Sequence, residues 1–188
     1  MQNVEYKAEL RDPSLARTIA ASIGALRVDT LRQTDTYFRI PDGKLKKRET
    51  LGQPTEWVFY SRPGQSRAKL STFTIYPEHM ARERFGSTDL PVWLVVKKCR
   101  DLWTWKGVRI HLDSVEGLAH KPDDQGVHGP ADFIEFEALI CPERTQAQAH
   151  EQVEFLRASF APALGEPIAV GYAELLSQEQ EPAQGTAD

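Results

Sequence analysis

The segment NVEYKAEL, Asn3 to Leu10, sets Val4, Tyr6, Ala8 and Leu10 in alternation with Glu5, Lys7 and Glu9. A period of two belongs to an extended strand, with apolar side chains on one face and acid beside base on the other. The alternation returns along the chain: Lys44, Lys46 and Arg48 in KLKKRET, Arg62 and Lys69 in the next pair of strand-like runs, then Lys98 and Arg100. Later, Arg109, His111 and Asp113 oppose Val108, Ile110 and Leu112, and Glu135 and Glu137 oppose Ile134, Phe136 and Ala138. One such strand is expected of any antiparallel sheet with a solvated face. Recurrence on nearly every strand, with charge at i and i+2 in place of Thr, Ser or Gln, narrows the choice. If every apolar face packs outward onto helices, the charged faces share an interior, and the sheet is a barrel lined by acids and bases.

Such an interior calls for a ligand, because buried ions lose hydration worth several kcal/mol each unless something compensates them. The bases Lys7, Lys46, Arg48, Arg62, Lys69, Lys98, Arg100 and Arg109 are expected to outnumber what the acids neutralise, which suits a polyanion such as a triphosphate. The acids Glu5, Glu135 and Glu137, with Asp113 of the same type, suit the hard divalent cations that phosphates carry with them.

The other elements follow from local signals. RDPSLARTIAASIG reads as a helix capped by Asp12, with Pro13 at its first position and Gly24 at its end. Pro41-Asp42-Gly43 turns a β-hairpin, and Pro63-Gly64 joins TEWVFYSRP to RAKLSTFTIYP. EHMARERFGSTDL predicts a short helix and loop, with Arg82, Glu83 and Arg84 on a solvated face. VWLVVKKCRDLW and WKGVRIHLDSVEGL are strands, and AHKPDDQGVHGPA reads as a flexible hairpin tip. A helix from Pro142 to Phe160 buries Val153, Leu156 and Phe160, and a short one covers Tyr172 to Leu176. Residues 1–176 form one domain on this reading, and a disordered tail runs from Ser177 to Asp188.

Composition excludes several classes. A formal net charge of −4 gives no reason to expect nucleic acid as a partner. Cys99 and Cys141 have neither disulfide-framework nor zinc spacing, which fits a reducing cytoplasm. No apolar leader and no stretch of membrane-spanning length is seen, so a cytoplasmic chain with no membrane partner is expected. A homodimer is left open. His79, His111, His120, His128 and His150 show no ligand spacing, and His111 reads as a polar liner or hydrogen-bond partner. Ser71 has no triad signature. Trp57, Trp93, Trp103 and Trp105 read as packing or rim aromatics.

NVEYKAEL resembles the ExExK strand that opens the CYTH domain of the triphosphate tunnel metalloenzymes. QTDTYFRIPDGKLKKRE, KLSTFTIYP, VVKKCRDLW, VRIHLDSVEGL and FIEFEA are similar to later family segments, in the same order, from about Asn3 to Tyr172. DTYFRIPDGKLKKRE and RIHLDSVEGL are most similar to the class IV adenylyl cyclase-like branch. The resemblance implies an α+β fold: an eight-stranded antiparallel β-barrel forming an open tunnel, with helices packed outside. It implies catalytic roles for Lys7, Arg109 and Asp113. Phosphate binding falls to Lys7, Lys46, Arg48, Arg62, Lys69, Lys98, Arg100 and Arg109, and Mg²⁺ or Mn²⁺ to Glu5, Glu135 and Glu137. Two departures stand out: Asn3 replaces the first Glu of ExExK, which puts one of two metal sites in doubt, and the 119–131 insertion is longer than usual and reads as decoration.

The implied substrate is a small triphosphate such as ATP, inorganic triphosphate or thiamine triphosphate. Three functions compete. In the first, a metal-oriented water attacks the terminal phosphorus, with Glu5 and Glu137 as principal metal ligands and Glu135 in support. In the second, the ribose 3′-oxygen of ATP attacks the α-phosphorus, giving cyclic AMP and pyrophosphate. The third is a polyphosphate- or nucleotide-binding module that has lost metal geometry through Asn3.

Overall fold

The computed structural model describes residues 1–61, 68–86, 90–119 and 130–180. The main strands are β1 (Gln2–Leu10), β2 (Leu26–Phe38), β3 (Lys44–Thr50), β4 (Glu56–Ser61), β5 (Lys69–Pro77), β6 (Val92–Trp105), β7 (Val108–Ala119) and β8 (Pro130–Ile140). Their order is β5-β4-β3-β2-β6-β7-β8-β1, and β1 pairs back onto β5 from Gln2↔Thr72 to Glu5↔Lys69. Every pairing is antiparallel. The expected eight-stranded barrel is therefore closed, and closure leaves no open edge to aggregate. Past the start of β5 at Lys69, a short ninth strand, β9 (Leu164–Pro167), takes over the same edge of β1 at Ala8 and Leu10.

Helix α1 (Pro13–Ser22) begins as its sequence predicts, with the Asp12 carboxylate accepting from Leu15 N at 2.9 Å. Helix α2 (Glu78–Phe85) follows β5. Helix α3 (Gln146–Phe160) starts four residues after the expected Pro142. Cys141 and Arg144 close a small bridged turn there, and the reciprocal cap between Thr145 and Gln148 sets the helix start. The strand expected to run through Trp105, Lys106 and Gly107 is broken by a two-residue turn. Lys106 and Gly107 both have positive φ, 46° and 74°, as the tightest hairpins require. The Arg144 guanidinium donates to the carbonyls of both, so it pins the turn to α3's start.

Two apolar clusters lie on opposite sides of the barrel wall. The outer one packs the apolar faces of β1, β7 and β8 against α1 and α3, with Val4, Ile110, Phe136, Val153 and Phe160 fully buried. Trp103 and Trp105 belong to it, and Trp105 stacks on Phe155 at 4.7 Å. The second lies inside. Tyr37, Tyr60, Val96, Val115 and Phe133 share strand faces with the charged residues and meet Tyr172, Ala173 and Leu176 of helix α4 (Tyr172–Gln180). The implied tunnel is thus filled at one end by α4, which Glu174 ties to Lys44 on β3. The helix reaches Gln180, past the expected tail onset at Ser177, because Leu176 buried in the barrel anchors it. The rest of that tail and the tip at 120–129 lie outside the described residues. No helix among the described residues is long and apolar enough to cross a membrane.

Candidate active site

Inside the barrel a cavity of about 220 Å³ is bounded at one end by Tyr172. Its walls are the charged faces that the alternation predicts. Glu5 and Lys7 enter from β1, Lys46 and Arg48 from β3, Lys98 and Arg100 from β6, Arg109 from β7, and Glu135 and Glu137 from β8. Lys69 is placed by its backbone opposite Glu5, and Arg62 lies outside the described residues.

The bases are organised as two similar modules. On β3, Lys46 and Arg48 stand two residues apart and share Asp35 of β2: Lys46 donates at 2.9 Å and Arg48 makes two bonds of 2.7 Å. On β6, Lys98 and Arg100 stand two residues apart and share Asp113 of β7, at 3.3 Å and in two bonds of 2.6 Å. In each module the Asp and Arg are direct partners across adjacent strands, Asp35↔Arg48 and Asp113↔Arg100. Neither Asp lines the cavity, and they are 0% and 1% exposed. Asp113, expected among the catalytic residues, therefore sits behind Arg100 and aims it. Tyr172 supports the same group: its hydroxyl donates to Asp113 at 2.9 Å, while Lys7 Nζ lies 4.0 Å and Lys98 Nζ 5.1 Å from its ring centroid.

Burial shapes the charges. It would raise the carboxyls of Asp35 and Asp113, but their guanidinium and ammonium partners override it and hold both well below the usual range. The lysines move the other way. Burial, then the adjacent Arg48, pushes Lys46 down to about 8, and burial with Arg100 pushes Lys98 down to about 7. Six bases, Lys7, Lys46, Arg48, Lys98, Arg100 and Arg109, and four acids, Glu5, Glu56, Glu135 and Glu137, line the cavity. Two further acids, Asp35 and Asp113, stand behind the wall and offset part of that excess. A polyanion that brings its own cations suits such a cavity.

A place for a cation exists. Ligand atoms of His111, Glu135 and Glu137 lie within 4.8 Å of one another, and Glu5 is the cross-strand partner of Glu137. Glu135 is shared with Lys7 at 3.5 Å and Arg100 at 3.1 Å, whereas Glu137 lies toward the exposed end near Arg109. Burial would raise both carboxyls, yet Lys7, a hydrogen bond to His111 and Arg100 hold Glu135 down, and neighbouring positive charge holds Glu137 down. Burial, then Arg100, lowers His111 against the pull of Glu137 and Glu135, which favours the neutral imidazole that can ligate. Oxygen-rich donors with one imidazole fit Mg²⁺ or, with the nitrogen included, Mn²⁺.

Several site residues escape a reading of the sequence. Asp35 is missed because the observed register, Phe38↔Leu45 and Asp35↔Arg48, is one residue off what counting outward from Pro41-Asp42-Gly43 gives, which would set Asp35 against Glu49. His111 belongs to the acid cluster as a potential ligand, beyond the polar lining expected of it. Glu56 enters from β4 without a local signal, as does Tyr172 from a helix outside the barrel sequence.

The family model for the CYTH domain matches residues 1–163. No curated protein matches. Among solved structures, PH1012 from Pyrococcus horikoshii OT3 is similar at a TM-score of 0.67 and 18% identity, over 93% of this chain and 99% of that one. A candidate adenylate cyclase from Vibrio parahaemolyticus reaches 0.65 at 18% identity, over 93% and 97%. HpAC1 from Hippeastrum, a candidate adenylyl cyclase with a dominant triphosphatase activity, reaches 0.60 at 13% identity, over 96% and 98%. At these identities the likeness is one of fold. With its closed barrel, its inward ladder of bases and acids, and a family match over most of its length, the chain belongs to the CYTH domain family.

Proposed function

We propose that the protein is a divalent-metal-dependent hydrolase of a small triphosphate bound inside the barrel. The observation that carries this reading is the convergence, on one cavity closed at one end, of two lysine-arginine modules and the His111, Glu135 and Glu137 cluster. Arg48 and Arg100, aimed by buried carboxylates that take one edge of each guanidinium, offer their remaining N–H groups to phosphate oxygens, and Lys46 and Lys98 add point charge beside them. Lys7 reaches the closed end and Arg109 the exposed one, so positive charge extends along the bound chain. These groups are held before the substrate arrives, so they stabilise charge developing on the phosphoryl oxygens without reorganising. Glu137, Glu135 and His111, with Glu5 beside them, would hold Mg²⁺ or Mn²⁺, which supplies Lewis-acid polarisation of those oxygens. Water attacks the terminal phosphorus, the bond to the bridging oxygen breaks with its electron pair passing to the departing diphosphate, and the water oxygen ends in orthophosphate with a proton released to solvent.

Hydrolysis needs nothing more. Cyclisation of ATP also needs a nucleoside bent against its own triphosphate, and no described residues clamp it from both sides. The test incubates the protein with inorganic triphosphate, ATP or thiamine triphosphate and Mg²⁺ or Mn²⁺, then separates the products by chromatography. Orthophosphate is expected. Cyclic AMP with pyrophosphate would replace this reading by the cyclase, and tight binding without turnover would replace it by a binding module. Glu137→Gln should abolish turnover while leaving triphosphate affinity within about threefold, since it removes charge from the acid cluster and no base. Undiminished activity in that variant would overturn the assignment of the acids.

A further inference from the structure

The acids that line the cavity are not all engaged. Glu135 is held by Lys7 and Arg100, Glu137 lies 3.8 Å from Arg109, and both belong to the cluster with His111. Glu5 stands beside that cluster as the cross-strand partner of Glu137. Glu56 of β4 is different. It lies directly opposite Arg48 in register, yet Arg48 turns its guanidinium to Asp35. The Glu56 carboxylate accepts no hydrogen bond and enters no ion pair among the described residues. Its neighbours on this side, Val58 on β4 and Phe73 and Ile75 on β5, form an apolar wall beside Lys46 and offer it no donor.

A spare carboxylate repels the polyanion that the cavity is built to hold, so its presence calls for a use. Holding a cation is one use, but Glu56 joins no group of three ligand side chains among the described residues. It also stands on the opposite wall from His111: β4 is separated from β7 by β3, β2 and β6 in one direction and by β5, β1 and β8 in the other. Accepting a proton is the remaining use, and the position suits it. Along β4 the inward residues run from Tyr60, buried in the inner cluster with Tyr172, through Val58 to Glu56, about 13 Å farther from the closed end at 3.3 Å per residue. Glu56 is partly exposed there, within reach of bulk water.

We propose that Glu56 is the general base of hydrolysis, taking a proton from the water that attacks the phosphate at the open end of the bound chain. The proposal rests on the hydrolase reading of this cavity and adds the group that receives the proton. As the water oxygen bonds to the terminal phosphorus, one of its protons passes to a Glu56 carboxylate oxygen. The bond from phosphorus to the bridging oxygen breaks, and its electron pair leaves with diphosphate. Glu56 then gives the proton to solvent and orthophosphate departs. Proton acceptance and cation holding thus fall on opposite walls, with the reacting phosphorus between them.

Inorganic triphosphate, whose two ends are alike, is the test substrate, and Mn²⁺ affinity is read separately from the electron paramagnetic resonance of the free ion. Glu56→Gln keeps the size and removes the basicity, so kcat should fall about 100-fold or more while KM and Mn²⁺ affinity stay within about threefold. The rise of kcat with pH through the carboxylate range should flatten in that variant. Formate added to Glu56→Ala should restore part of the lost rate, which it would not do for a residue that only shapes the wall. If Glu56→Gln does not fold, Glu56→Asp carries the test: its shorter carboxylate should lower kcat about tenfold at unchanged Mn²⁺ affinity, and full activity would overturn the proposal. A kcat of Glu56→Gln within about threefold of the unsubstituted protein would also overturn it. A parallel loss of Mn²⁺ affinity would replace the base by a metal ligand. No hydrolysis by the unsubstituted protein would overturn the hydrolase reading and the proposal with it.

Discussion

Asp113→Asn tests the logic of the base modules. Asp113 accepts two bonds of 2.6 Å from Arg100, one of 3.3 Å from Lys98 and one of 2.9 Å from Tyr172, and it is 1% exposed. Asparagine keeps the shape and one acceptor oxygen but removes the charge, leaving Arg100 and Lys98 buried without their counterion. Breaking a buried pair from one side costs about 3–5 kcal/mol, and the retained acceptor places the expectation at the lower end, about 3 kcal/mol. For a chain of this size that is a fall of about 6–12 °C in melting temperature. Thermal unfolding followed by circular dichroism measures it. The same reasoning predicts a rescue. Inorganic triphosphate returns negative charge to Arg100, so it should raise the melting temperature of the variant more than that of the unsubstituted protein. A loss under about 1 kcal/mol, or equal stabilisation of the two proteins by triphosphate, would show that Asp113 is not the counterion of this module.

Lys46 at about 8 and Lys98 at about 7 both titrate below their ordinary 10.5. Between the folded values and the unfolded one the unfolded chain binds more protons, so the stability of the free protein should rise with pH from about 7 to 10. A bound polyanion favours the charged lysines, so calorimetry at pH 8 in buffers of different ionisation heat should register proton uptake, reduced in Lys98→Met. Proton release in both proteins would contradict the lysine assignment. Ending the chain at Gly171 removes α4 and uncovers Tyr37, Val96, Val115 and Phe133. That truncation should increase binding of an apolar fluorescent dye and lower the melting temperature, and unchanged values for both would refute the closed end.

Much of the barrel is legible because a strand's two faces are written locally. Glu5 and Lys7 on β1, Lys46 and Arg48 on β3, and Glu135 and Glu137 on β8 all line the cavity their parity assigns them. The start of α1 is legible for the same reason, since Asp12 and Pro13 act within one turn. The start of α3 is not, because Pro142 is compatible with a first helical turn, and only the Cys141 and Arg144 bridge diverts it into a turn of its own. Residue types alone did not show which acids offset the bases. Asp35 and Asp113 are consumed by the bases they hold, and Glu56 lies on a strand whose other inward residues are apolar.

By itself, then, the sequence determined which residues share a strand face, that Pro41-Asp42-Gly43 turns β2 into β3, and that the interior is charged, because periods and turn chemistry act over a few residues. Tertiary structure decided which acid meets which base, that α4 fills one end, and that an apolar wall stands beside Lys46. Those outcomes depend on ring closure and on inter-strand register. The Tyr172 hydroxyl meets Asp113 across 59 positions of sequence, and Gln2 pairs with Thr72 to shut the barrel. No local pattern encodes such contacts; they are selected by the free energy of packing both faces of one closed sheet at once.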